Sequence, residues 1–167
     1  MAAPVMVTLT DQEAYAAAQL GCKRNIRSVY RGGRHRAGWV GPAWNNAVLG
    51  AMAEAAVRKH FGLPFDPDHV DVYTNLPDVP VFGGLEVRWS GQSRLIIRPE
   101  DKPGAYLLVT GDAPEFALWG VGMQADAVVK PLVVLAAGRP GVHVLQANEL
   151  QPVSEWAAAQ EVMGVIE

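Results

Sequence analysis

A chain of 167 residues, half of them apolar, is long enough to bury one substantial core and short for two, so one domain is expected. No run approaches the roughly 18 apolar residues of a membrane span, and the N-terminus lacks the basic-then-apolar pattern of a secretion signal, so a soluble, cytoplasmic protein is expected. The single cysteine, Cys22, excludes an internal disulfide and zinc sites built from several thiolates, leaving oxygen and imidazole as metal ligands.

A net charge of −3 argues neither for nucleic acid nor against it. Its distribution says more. Lys23, Arg24, Arg27, Arg31, Arg34 and Arg36 follow one another with no acid between them. Such a block reads as an anion-binding arm for a phosphate backbone, or as a solvated helix end followed by a loop.

In chain order, Thr10 and Glu13 have the spacing of a capping box, which predicts a helix over 11–28. Gly32, Gly33, Gly38 and Gly41 then mark a basic loop that carries Tyr30 and Trp39. Pro42 suits a first helical residue, and Gly62 with Pro64 ends the segment, predicting a second helix over 42–61. Within it Trp44, Ala47, Val48, Ala51 and Ala55 form one buried stripe. Glu54 lies beside that stripe, facing either the protein or solvent at the border of an amphipathic helix.

Beyond it, short runs rich in β-branched and aromatic residues predict strands over 70–73, 79–82, 85–89, 94–98, 106–110, 116–121 and 142–146. A helical turn is expected over 125–129, and a last helix over 155–163 capped by Ser154. The pattern is that of an α/β protein.

The segment from Leu76 to Ser90 concentrates the chemistry. Alternation along a strand puts Leu85, Val87 and Trp89 on one face and Glu86, Arg88 and Ser90 on the other. Whether Asp78 joins them depends on hairpin register. A two-residue Gly83-Gly84 turn puts Asp78 on the face away from Glu86. A three-residue loop over 82–84 pairs Pro80 with Glu86 and Asp78 with Arg88, and is preferred because Pro80 favours an irregular edge.

Pro77-Asp78, seven intervening residues and Glu86-Val87-Arg88, preceded by a helix bearing Glu54, resemble the signature of the PD-(D/E)XK nuclease superfamily. The resemblance covers residues 41–122. The stretches Gly84-Leu85-Glu86-Val87-Arg88 and Leu108-Val109-Thr110-Gly111 also look similar to small phage and prophage proteins, which would place the chain in a host cytoplasm.

The superfamily resemblance implies a central mixed β-sheet flanked by helices, with a restriction-endonuclease-like core. It divides a single domain into a basic N-terminal helix and loop (1–41), the core (42–122) and a C-terminal extension (123–167). It further implies a Mg²⁺- or Mn²⁺-dependent nuclease acting on DNA, with Asp78, Glu86 and the Val87 carbonyl holding the ion and Glu54 positioning a water or a second ion. Monomer and homodimer stay open.

Arg88 stands where the superfamily usually has lysine. Arginine keeps its charge and cannot act as a base, so Arg88 either stabilises developing negative charge or fills the metal's place by pairing with Asp78 or Glu86. The latter would make the chain an inactive nuclease-fold protein that binds nucleic acid or a protein partner. A third reading takes Asp78 and Glu86 as an acid and base pair on another substrate, as in glycosidases.

Other candidates are weaker. His35, His60, His69 and His143 lack metal-ligand spacing. Cys22 reads as a packing residue, and Gly83-Gly84 lacks the lysine and hydroxyl of a phosphate loop. Trp89 and Trp119 read as core, and Trp39 as a residue able to stack on a base.

Overall fold

The computed structural model describes residues 3–30, 43–68 and 76–162. The predicted strand over 70–73, Pro42, Trp39, His35 and His69 lie outside them, as do Arg31, Arg34 and Arg36.

A short strand β1 (Val5–Thr8) leads into helix α1 (Asp11–Tyr30). The capping box forms as expected: Glu13 accepts the Thr10 N–H at 2.7 Å, and Thr10 Oγ1 accepts the Glu13 N–H at 3.3 Å. Helix α2 (Ala43–His60) follows, and Arg58, Lys59 and His60 in its last turn complement the helix dipole. Strands β2 (Leu85–Trp89), β3 (Arg94–Ile97), β4 (Ala105–Asp112) and β5 (Glu115–Met123) come next. The chain closes with α3 (Gln124–Val128), β6 (His143–Gln146) and α4 (Val153–Val162). Helix α4 begins one residue before Ser154, with the Trp156 N–H on the Pro152 carbonyl at 2.9 Å, so Ser154 lies inside the first turn rather than before it.

The fold is α/β with a central mixed sheet in the order β1-β5-β4-β2. Strands β1 and β4 run antiparallel to β5, while β2 runs parallel to β4. That parallel pairing arises because β3 leaves the sheet to pair with β6 in a separate two-stranded ribbon.

Alternation sorts each strand between two cores. Leu85, Val87, Ala105, Leu107 and Val109 pack with Ala53, Ala56 and Val57 of α2. On the other face, Tyr106 and Leu108 pack with Leu95, Ile97 and Leu145 of the ribbon. A register break between Leu108 and Val109 lets Phe116, Leu118 and Val121 all join the α2 side despite the odd spacing.

Helix α2 is apolar almost all round. Residues 51–57 are buried except Glu54, which is half-buried as a residue, because α1 covers one side of the helix and the sheet the other. The expected stripe holds at Ala51 and Ala55 but frays at Trp44, which is 47% exposed.

Candidate functional site

Strand β2 is an edge strand, and its outer side is covered by one isolated bridge, Val79 to Leu85. The two residues exchange both backbone hydrogen bonds, at 3.0 and 2.9 Å. The predicted strand over 79–82 is thereby reduced to a single residue, and the connecting loop spans 80–84 instead of the preferred 82–84. Its tight part is left-handed, with φ of 50° at Phe82, 82° at Gly83 and 114° at Gly84. A left-handed phenylalanine is what lengthens the loop, because glycine alone would serve a shorter turn.

The bridge brings Asp78, one residue before Val79, near Glu86, one residue after Leu85, close enough for the Asp78 charge to act on Glu86. The expected pairings of Pro80 with Glu86 and of Asp78 with Arg88 do not form, since the bridge joins Val79 to Leu85. Where a continuing strand would accept the Val87 N–H, the Asp78 carboxylate does so, Oδ2 at 2.9 Å. That bond fixes the carboxylate at the edge of β2 and spares one of its oxygens. Glu86 is half-buried, and its pKa is raised, first by burial and then by the Asp78 charge; Arg88 and Lys102 oppose the shift.

Arg88 pairs with neither Asp78 nor Glu86. Its Nη2 lies 3.0 Å from Asp101 Oδ1, and the guanidinium carbon sits 5.0 Å from the centroid of the buried Tyr106 ring. Asp101 is in turn held by the Arg98 N–H at 2.9 Å. Asp101 and Tyr106 were not legible as site residues. The spacing of Arg98 and Asp101 signals a local side-chain turn, but only the fold brings that turn under β2.

Glu54 comes from the opposite side of the sheet. Its side chain is 12% exposed and its Oε1 lies 2.6 Å from Arg24 Nη1. Burial and, after it, the charge of Asp78 push the Glu54 pKa up to about 7, outweighing Arg24 and Arg58. Arg58 braces the same corner, donating from Nη2 to the Asp78 carbonyl at 2.7 Å and from Nη1 to the Pro64 carbonyl at 3.2 Å. Asp78 thus stands between two acids: Glu86 across the bridge and Glu54 towards α2. Among the described residues, no three or more of His, Cys, Asp and Glu come together as a metal-binding group. The arrangement is therefore a carboxylate pair with Glu54 set apart on its arginine.

The sign of the Glu54 shift gives a stability prediction. Between pH 4.5 and about 7 the folded chain holds a proton that the unfolded chain has lost, so stability falls as pH rises through that window. At about 1.4 kcal/mol per unit the upper limit is about 3.5 kcal/mol. Denaturant midpoints followed from pH 4.5 to 7.5 are expected to fall for the native chain and to flatten in Glu54→Gln. An unchanged slope in the variant would place the proton elsewhere.

Of the basic block, Lys23 is 2.5 Å from Asp68 Oδ1 and Arg24 is taken up by Glu54. Arg27 also has interactions within the chain. His143 is buried, its Nδ1 2.9 Å from the Lys130 carbonyl, and His60 packs edge-on against Phe61. Cys22 is half-buried. Trp119 donates to Thr110 Oγ1 at 2.8 Å and Trp89 to the Gly111 carbonyl at 2.7 Å, as packing residues with satisfied indoles. Among the described residues no helix is long and apolar enough to cross a membrane. Comparison with protein-family models, with curated proteins and with solved structures gave no match for this chain.

Proposed function

We propose that the chain is a metal-dependent nuclease that hydrolyses phosphodiester bonds of DNA, with a core of restriction-endonuclease type. The observation that carries this reading is the carboxylate pair, Asp78 beside Glu86, with the Arg88 guanidinium paired to Asp101 rather than to either acid. Two carboxylates set close together, one of them raised in pKa first by burial and then by the other's charge, suit a hard divalent cation. Mg²⁺ needs few protein ligands, so Asp78, Glu86 and the Val87 carbonyl would suffice to hold it. When bound, it would supply Lewis-acid stabilisation of the phosphate and a more acidic water.

The chain's own groups do the rest. The Val87 N–H and Arg58 hold Asp78 in place. Arg88, fixed by Asp101 and Tyr106, presents a permanent positive charge beside Glu86 for the negative charge that builds on the phosphate oxygens. Glu54, tied to Arg24, positions water from the α2 side. Basic residues from 27 to 36 add contacts to the DNA backbone.

The second reading, an inactive nuclease-fold protein that binds nucleic acid or a protein, is favoured by the same Arg88, because a guanidinium locked between Asp101 and Tyr106 cannot take a proton from water. Incubation of the chain with linear and plasmid DNA separates the two. Cleavage with Mg²⁺ or Mn²⁺ that stops in EDTA is expected; no cleavage of any DNA with either ion would leave only the binding protein.

A further inference from the structure

Residues 131–138, Pro-Leu-Val-Val-Leu-Ala-Ala-Gly, carry no charge, and every one of them is exposed. Val128 and Val129, just before them, are exposed as well. Water disfavours so long an apolar run on a surface, and an open patch of this kind marks a contact that the folded chain makes with another body.

Backbone geometry says what kind of contact it is. Val133 and Val142 form an antiparallel bridge and exchange both hydrogen bonds, at 2.8 and 3.0 Å. The Lys130 carbonyl meets the His143 ring at 2.9 Å, so the segment runs back along β6 and widens the ribbon of β3 and β6 by a third chain. In an antiparallel ladder the residues on either side of a hydrogen-bonded pair point their N–H and C=O groups the opposite way. Leu132 and Val134 therefore offer two donors and two acceptors to the open side, and among the described residues no backbone hydrogen bond engages them. Such an edge templates the pairing of another chain unless charge, proline or a bulge blunts it. Pro131 bounds the open stretch at one end, and the turn closed by the Arg139 N–H on the Ala136 carbonyl at 3.2 Å bounds it at the other. From Leu132 to Leu135 nothing blunts it.

This edge fits a second copy of itself. A two-fold axis beside Val133 sets Leu132 of each copy opposite Val134 of the other, where each pair exchanges both backbone hydrogen bonds, and sets Val133 against Val133 as a β-branched pair. Residues 131–135 bring no charge to the contact. The exposed apolar surface of residues 128–135 is a patch on the order of 500 Å², so two copies bury about 1,000 Å², the lower bound of a specific interface.

We propose that the chain forms a weak symmetric dimer through this edge, which joins two ribbons into one continuous antiparallel sheet. Its formation is independent of any metal at the carboxylate pair.

Sedimentation equilibrium of the full chain from about 1 to about 300 µM is the test, with a dissociation constant on the order of 10 µM expected. The weight-average mass then climbs from 17.9 kDa towards twice that value. Val134→Lys, at a residue 62% exposed, is expected to raise the constant at least about tenfold with an unchanged melting temperature. Met6→Lys, at a residue 59% exposed on β1, an edge of the central sheet, is expected to leave it unchanged. In the native chain, amide exchange at Leu132 and Val134 should slow about tenfold from the lowest to the highest concentration, while Val133, bonded within the chain, stays protected at both. A monomer at every concentration, exchange at these two amides indifferent to concentration, or a dimer that Val134→Lys leaves as tight or Met6→Lys weakens as much would each overturn the proposal. So would a chain that stays monomeric and binds neutral phosphatidylcholine vesicles through Val134, since the occupant would then be a bilayer.

Discussion

Replacing Glu86 with alanine is expected to lower Mg²⁺-dependent DNA cleavage by about a hundredfold or more without weakening the fold. Metal-assisted stabilisation of charge is worth several kcal/mol, and each 1.4 kcal/mol is tenfold in rate, so losing one of two carboxylate ligands removes most of it. The stability half of the prediction follows from the side chain's setting. Glu86 lies near Asp78, and both burial and that neighbour disfavour its charge. Alanine relieves the repulsion and leaves the Val79–Leu85 bridge intact. A thermal melt at or above the native value, together with a collapse in cleavage, is the signature of a group kept for chemistry at some cost in stability. A variant that cleaves normally would remove Glu86 from the mechanism. One that melts well below the native chain would make it a structural residue.

The second large effect is expected at Gly21. A β-carbon there would come within 2.6 Å of both the Ala47 carbonyl oxygen and the Val48 α-carbon. These are backbone atoms of α2 and cannot rotate away, so Gly21→Ala has to push the helices apart. The better helix propensity of alanine returns up to about 1 kcal/mol, and overpacking costs roughly 1–3 kcal/mol, with backbone contacts at the upper end. A net loss of about 2 kcal/mol in denaturant unfolding is expected. The loss reaches the site, because Arg24 lies one turn beyond Gly21 and Glu54 two turns beyond Ala47. Moving the helices apart stretches the 2.6 Å pair between Arg24 and Glu54, and because Arg24 opposes the rise in the Glu54 pKa, loosening it should steepen the pH dependence assigned to Glu54.

Both effects show where sequence reasoning reaches and where it stops. The capping box at Thr10 and Glu13, the alternation through Leu85 to Trp89 and the span of α2 were legible because each depends on neighbours within one turn or one strand. The four residues of β1 were not, since so short a run carries too little pattern to distinguish it from a loop. The register around Gly83-Gly84 was misjudged by two residues because nothing local marks Phe82 as left-handed. The bridge therefore joins Val79 to Leu85 in place of the expected pairing of Asp78 with Arg88.

The nonlocal facts were out of reach for a different reason. Only the departure of β3 to pair with β6 makes β2 and β4 neighbours, and only that path brings Asp101 under Arg88. The same holds for Glu54. Its spacing put it at the border of a stripe, whereas burial by both α1 and the sheet makes it a titrating group with an arginine partner. Of the six basic residues read as one arm, Lys23 pairs with Asp68 at the surface and Arg24 with the buried Glu54, a choice that composition cannot reveal.

The most direct test of the carboxylate pair is a thermal melt of the chain with and without millimolar Mg²⁺ or Mn²⁺, beside Asp78→Asn and Glu86→Gln. Ligand binding to the folded state alone stabilises it by mass action, by about 2.7 kcal/mol at a hundredfold excess over Kd. The account predicts a concentration-dependent rise in Tm for the native chain that each substitution abolishes. A native melt indifferent to both ions, or a rise that persists in either variant, would contradict it.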